Sequence, residues 1–228
     1  MYLIAEQCGK PLIPKIDSRI LGGSEVDPAH SQPWLVRLNE CCQCTGTLIS
    51  DIHILTAAHC ELIRPPFVAT LGDHNANEIE AGEVSIKIKT KVKHPLYWLE
   101  GDTAAYDFAI WTLEEPVKFS DTIQPICLPS TGAEMFSESQ VINSGWGMSK
   151  WKEGDSQPSV DWDNPVLRTV TLTTFPIEKC KNSKWLSDRL EKITTPGRDI
   201  NDTMMICAGV SDVKNQWIGP NKGDSGGR

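Results

Sequence analysis

The sequence predicts an all-β fold, a barrel or a sandwich, on three observations. Short runs of β-forming residues recur along the chain, separated by Gly, Pro, Asn and Asp. Only one segment carries a helical apolar stripe. No internal repeat or heptad pattern competes with these signals, and many short strands with few helices suit barrels and sandwiches.

The predicted strands, in order, are "WLVRL" from Trp34, "GTLIS" from Gly46, "HILTA" from His53 and "FVATLG" from Phe67. Then follow "SIKIKTKVK" from Ser85, "FAIWTL" from Phe108, "QVINSGWG" from Gln140, "LRTVTL" from Leu167 and "MMICAG" from Met204. The clearest is "SIKIKTKVK". Alternation puts Ile86, Ile88 and Val92 on one face and Lys87, Lys89, Lys91 and Lys93 on the other. This predicts a half-buried strand near a sheet edge, its lysines a solvated face before they are a docking patch. The one helix is "IEKCKNSKWLSDRLEKI" after Pro176, with a stripe of Leu186, Leu190 and Ile193. Residues 1–19 read as a separate leader, and residues 148–165 as an exposed loop rich in turn residues.

Composition narrows the function. The 228 residues are 39% apolar and 23% charged, which suits a packed core rather than disorder. A net charge of −8 argues against nucleic acid, whose phosphates need a basic face, and against an anionic membrane surface. No apolar run approaches a membrane span. The eight cysteines point to an oxidising, extracellular setting, yet the first residues, "MYLIAEQCGK", show no export signal. The two are reconciled if sequence precedes Met1 or if Met1 is not the natural start.

Three reactive side chains occur in a fixed order. "LTAAHC" holds His59 between small alanines and Cys60, and "AAYDFAIWTL" puts Asp107 at the head of an apolar strand. "GDSGG" sets Ser225 among glycines, which allow a sharp turn and turn backbone N–H groups toward a ligand. Each signal is weak singly. Together they supply a hydroxyl nucleophile, an imidazole base and a carboxylate that orients it, the requirement for acyl transfer.

These residues sit in a longer series: "RILGG", "SQPWLVRL", "GTLISDIHILTAAHC", "KHPLY", "DFAIWTLEEPV", "IQPICLP", "NSGWG", "MMICAGV" and "GDSGG". The chain thereby resembles the chymotrypsin/trypsin-like serine proteases from about Cys8 to Gly227, and closely the secreted, disulfide-linked zymogens of arthropod clip-domain type. The order His59, Asp107, Ser225 is the order of that family.

The resemblance implies two antiparallel Greek-key β-barrels with the active site between them. The leader would be 1–19 and the protease domain 20–228, with barrel one over about 20–123 and barrel two over about 125–228. It implies a secreted endopeptidase acting on proteins and peptides, cleaved at Arg19–Ile20 by an upstream protease and open to serpin-type inhibitors. The new Ile20 ammonium would pair with Asp224, and the N–H groups of Gly223 and Ser225 would form the oxyanion hole. The implied disulfides are Cys44–Cys60, Cys180–Cys207 and Cys8–Cys127, with Cys41 and Cys42 left without family partners.

No cofactor is implied for catalysis. "LGDHNANEIEAGE" resembles the family's calcium loop, with carboxylates of Asp73, Glu80 and Glu83 and carbonyls of Asn75 and Glu78. A solvated acidic loop reads equally well. Asn201 opens the glycosylation sequon "NDT".

The chain departs from the family at three places. Gly219 stands where trypsin-like members carry an aspartate at the floor of the specificity pocket. Asn221 stands at a usual cysteine, and Arg228 at a usual proline. The family's last strands and C-terminal helix would follow Arg228, so barrel two is expected to be incomplete. Residues 20–228 alone are expected to fold poorly and leave peptides uncut, which a peptide panel and a serine titrant would test. The alternative function is a non-catalytic homologue that binds partners in a proteolytic cascade.

Overall fold

A computed structural model describes residues 8–13, 24–38, 44–62, 66–100, 103–130, 138–147, 165–182 and 206–209. The elements are β1 (Ser24–Glu25), β2 (Leu35–Leu38), β3 (Cys44–Leu48), β4 (His53–Thr56), a 3-10 turn (Ala58–Leu62) and β5 (Val68–Leu71). They continue with β6 (Val84–Lys93), β7 (Trp98–Glu100), β8 (Thr103–Ala105), β9 (Ala109–Leu113), β10 (Gln140–Gly145), β11 (Arg168–Phe175), α1 (Ile177–Lys181) and β12 (Cys207–Gly209). The fold is nearly all-β, as expected. The helical stripe of Leu186, Leu190 and Ile193 lies outside the described residues, as does most of the loop 148–165.

β2, β3, β4, β9, β6 and β5 close into a barrel. Strand alternation sends one face of each inward, and Val36, Leu38, Leu48, Ile54, Trp111 and Leu113 are all fully buried there. Val117 and Ile123, beyond β9, complete this core. A second sheet runs β1-β11-β10, with β12 also on β11. Leu35, Val26, Trp146 and Leu167 form its own small cluster. Ser24 and Glu25, placed with the first barrel in the sequence reading, instead pair with Thr169 and Arg168 of β11.

Gly46 shows how tightly the barrel is packed. A Cβ built there would lie 2.5 Å from Ile54 Cγ2 and 3.2 Å from Leu38 Cδ1. Both neighbours are fully buried branched side chains of the barrel core. Gly46→Ala is therefore expected to lower the unfolding free energy by about 1–3 kcal/mol, measured by urea denaturation.

The reading of "SIKIKTKVK" needs correction. β6 is an interior strand of the closed barrel, between β5 and β9, and not an edge. Its register shifts between Ile88 and Thr90, where Ile88 faces Leu113 but Thr90 faces Thr112. One extra residue reverses the side-chain alternation beyond it. Val92 is consequently 64% exposed, while Lys91 turns opposite the buried Trp111. The Lys91 ammonium sits 3.2 Å from the Phe67 ring centroid and 5.5 Å from that of Trp111. Partial burial, offset in part by Glu61, lowers its pKa. Lys91→Ala should lower stability by about 1 kcal/mol through the lost ring contact. The same change at exposed Lys89 should leave the denaturation midpoint unmoved.

Candidate active site

His59 and Asp107 lie at the same end of one antiparallel strand pair. β4 and β9 are antiparallel partners, with Thr56 opposite Ala109. His59 follows β4 on the 3-10 turn, and Asp107 precedes β9. The sheet register therefore brings residues 48 apart in sequence side by side.

Two hydrogen bonds join them. The His59 backbone N–H donates to Asp107 Oδ1 at 2.9 Å, and the ring Nδ1 lies 2.6 Å from Oδ2. Burial alone would raise the pKa of this carboxyl. The bonds from the His59 ring and the His59 and Ala58 backbone outweigh burial and hold it below the usual value. An ionised carboxylate only accepts, so Nδ1 carries the proton. In the neutral ring Nε2 then keeps its lone pair. The histidine side chain is 37% exposed, so solvent reaches the ring while the carboxylate anchors it. A neutral imidazole held in this tautomer is equipped to take a proton from a hydroxyl.

The local chain explains why the pair is held. Cys60, buried beside His59, is bonded to Cys44 of β3 and ties the 3-10 turn to the barrel wall. Cys44, His59 and Cys60 offer ligand atoms within 4.8 Å of one another, but both sulfurs are consumed in the disulfide, so this is not a metal site. On the other side, Tyr106 adopts φ 51°, a left-handed conformation rare for a bulky residue. Its ring stacks on His94 with centroids 4.8 Å apart and planes 9° from parallel. The His94 N–H donates to the Phe108 carbonyl at 3.0 Å and the Phe108 N–H to the Tyr106 carbonyl at 2.8 Å, closing the turn that presents Asp107.

Tyr97 also faces this site. Burial, then the charges of Asp107 and Glu61, raise the pKa of its phenol and keep it neutral. Neither Tyr97, His94 nor Tyr106 was singled out as a site residue from the sequence, although "KHPLY" had marked the first two as part of a motif.

The remaining sequence-predicted positions divide in two. Ser225, Gly223, Asp224, Gly219, Arg19, Ile20 and Asn201 lie outside the described residues, as do Cys41 and Cys42. The structure contains bridges between Cys8 and Cys127, Cys44 and Cys60, and Cys180 and Cys207. The first, spanning 119 residues, ties residues 8–13 to the barrel, and the Gly9 N–H donates to the Pro125 carbonyl at 2.8 Å. Such bridges belong to an oxidising compartment. Among the described residues no helix is long and apolar enough to cross a membrane.

The acidic loop after β5 brings Asp73, Glu80 and Glu83 together, with carboxylate oxygens within 4.8 Å of one another. Burial raises the Asp73 pKa, assisted by the charges of Glu83 and Glu80 and opposed by Arg37. Asp73 Oδ1 is buried with no hydrogen-bond partner among the described residues. Asn75 and Glu78 are nearby in the same loop, where the Glu78 N–H donates to the Asn75 carbonyl at 2.9 Å. The loop also seats on the second sheet, because the His74 carbonyl accepts from Leu167 N–H and from the Trp146 indole.

Comparison with known proteins agrees with this geometry. The family model described as Trypsin matches residues 20–227. Ovochymase-2 of Mus musculus is 29% identical over 232 residues, covering 96% of this chain and 34% of that protein, so the chain spans about a third of that relative. Chymotrypsin-C of Bos taurus is 30% identical over 231 residues, covering 98% of this chain and 76% of that protein. Chymotrypsin-like elastase family member 1 of Canis lupus familiaris is 28% identical over 222 residues, covering 94% and 76% respectively.

Proposed function

The chain belongs to the trypsin family, by family a serine endopeptidase, and from that premise we propose that it is a secreted zymogen that cleaves proteins once cut at Arg19–Ile20. The observation that carries this reading is the His59–Asp107 pair, joined by hydrogen bonds of 2.9 and 2.6 Å. Maintaining an ionised, half-buried carboxylate behind one imidazole has little purpose in a protein that only binds. The non-catalytic alternative is therefore not favoured.

In the proposed mechanism Ser225 Oγ attacks the scissile carbonyl as His59 Nε2 takes its proton. Asp107 stabilises the imidazolium that forms. The N–H groups of Gly223 and Ser225 bind the developing oxyanion, each worth about 10²–10³ in rate. Protonated His59 then gives its proton to the leaving amine as the C–N bond breaks, which leaves the acyl group on Ser225 Oγ. His59 next takes a proton from water, whose oxygen attacks this ester, and returns the proton to Ser225 Oγ as the C–O bond breaks and the carboxylic acid leaves. Gly219 removes a fixed negative charge from the pocket floor, so preference for Lys or Arg is not expected. The upstream activator, serpin-type inhibitors, glycosylation at Asn201 and kinship with arthropod clip-domain zymogens belong to the same proposal.

Calcium fits the acidic loop as a structural ion. Asp73, Glu80 and Glu83 would supply carboxylate oxygens, and Asn75 and Glu78 would supply carbonyls. The orphaned Asp73 Oδ1 is the feature that suits it. A bound ion would fix the loop and take no part in proton transfer.

The test is peptide hydrolysis by the natural full-length protein after cleavage at Arg19–Ile20. Turnover on a broad peptide panel, abolished by Ser225→Ala, is expected; turnover indifferent to that change would refute the mechanism. A second expectation concerns pH. Pairing with Asp224 raises the Ile20 ammonium above its unfolded value of about 7.7–8.0. That stabilisation is complete below the unfolded value and is lost as pH rises through the folded one. Activity should fall on the alkaline side, and acetylating Ile20 should remove activity at neutral pH as well.

A further inference from the structure

A positive charge that the calcium reading leaves unused packs against the acidic loop. Arg37 of β2 lies between Val36 and Leu38, both fully buried in the barrel core, so alternation turns it to the opposite face. There its Nε donates to Asp73 Oδ2. The Asp73 side chain is wholly buried, and that of Arg37 is 16% exposed.

The three carboxylates are each half-committed to the protein. Asp73 has given Oδ2 to Arg37 and keeps Oδ1 buried without a partner among the described residues. Glu80 Oε2 accepts from the backbone N–H groups of His74 and Asn75. Glu83 Oε2 accepts from the Glu80 N–H at 3.2 Å. Three ionised carboxylates and one guanidinium leave two negative charges, the complement of a single divalent cation.

We propose that Arg37 is the resident cation of this loop: it holds Asp73 in place without metal and weakens calcium binding to Asp73, Glu80 and Glu83. The inference rests on the calcium reading given above. A guanidinium does not deprotonate in proteins, so its charge is permanent. An incoming divalent ion must share Asp73 with it and sit a few ångströms from a like charge in partly desolvated surroundings. Conversely, removing Arg37 leaves a buried carboxylate without a counter-charge. Only an added cation would then restore the loop.

The experiment measures calcium binding by titration calorimetry, and melting temperature in calcium or in chelator, on the full-length wild type and on Arg37→Gln and Arg37→Met. The Met variant keeps the apolar stem and guards against a packing artefact. Calcium should bind both variants at least about tenfold more tightly than wild type. Both should melt lower than wild type in chelator and recover more on adding calcium. Adding Asp73→Asn to either variant should cancel the gain. Equal calcium affinity in wild type and variants overturns the role of Arg37 and leaves the calcium site standing. Absence of binding in all of them overturns both. Failure of both variants to fold even with calcium present also overturns the proposal, because the rescue it requires is missing.

Discussion

Asp107→Asn should lower kcat by about 10⁴ with KM little changed, a magnitude carried over from the same change in the family's triad. The geometry gives the reason. Asp107 makes two hydrogen bonds to His59, one to the backbone N–H and one to the ring. An amide in its place presents a donor to the ring, favours the opposite tautomer and moves the proton to Nε2. The base is then occupied before the nucleophile can use it. The backbone bond survives through the amide oxygen, so the fold persists and substrate binding with it. Stopped-time kinetics on the activated full-length protein, with melting temperature as a control, separates the two effects.

The same substitution has a consequence for pH. The Asp107 pKa is lowered in the folded protein, chiefly because the bonds from His59 outweigh the opposing effect of burial. A lowered value means that its stabilisation is present above the unfolded pKa of about 3.9 and is lost as pH falls through the folded one. The wild type should accordingly lose more stability than Asp107→Asn on acidification below about pH 4.

Trp111→Ala should produce the largest loss of stability, about 3–5 kcal/mol. Trp111 is fully buried at the centre of the barrel and meets Phe67 edge to face, with centroids 5.7 Å apart. It also faces Lys91, so truncation empties the core and removes a cation contact together. Trp111→Phe should cost far less, under about 1.5 kcal/mol. The indole N–H is buried with no hydrogen-bond partner among the described residues, and a phenyl ring has no donor to leave unpaired. Urea denaturation of the three proteins at one pH makes the comparison. A Phe variant as unstable as the Ala variant would contradict the account of the orphan donor.

Much of the barrel was legible because its strands alternate cleanly around apolar positions. "WLVRL", "HILTA" and "FAIWTL" place Val36, Leu38, Ile54, Trp111 and Leu113 inward with period two. What period two does not contain is a change of phase. The bulge near Lys89 leaves no local mark in "SIKIKTKVK", since lysine keeps to every second position across it, from Lys87 to Lys93. It is imposed by closing the barrel against β9, a constraint from residues some twenty positions away. The β7–β8 pairing went unread because "YWLEGDTAA" shows no clear alternation.

The site was legible at the level of residue type and order, through motifs around His59 and Asp107. The supports were not. Nothing local marks Tyr106 for a left-handed backbone, because that conformation is held by stacking on His94. The Arg37–Asp73 contact likewise joins residues 36 apart through the pairing of β2 with β5.

A single covalent labelling experiment probes the catalytic account most directly. The full-length protein, cleaved at Arg19–Ile20, is treated with a fluorophosphonate and mapped by mass spectrometry. A single adduct on Ser225 is expected, suppressed in His59→Ala and before cleavage. A folded, cleaved protein that takes no label, or one whose Ser225 labels equally well without His59, would contradict it.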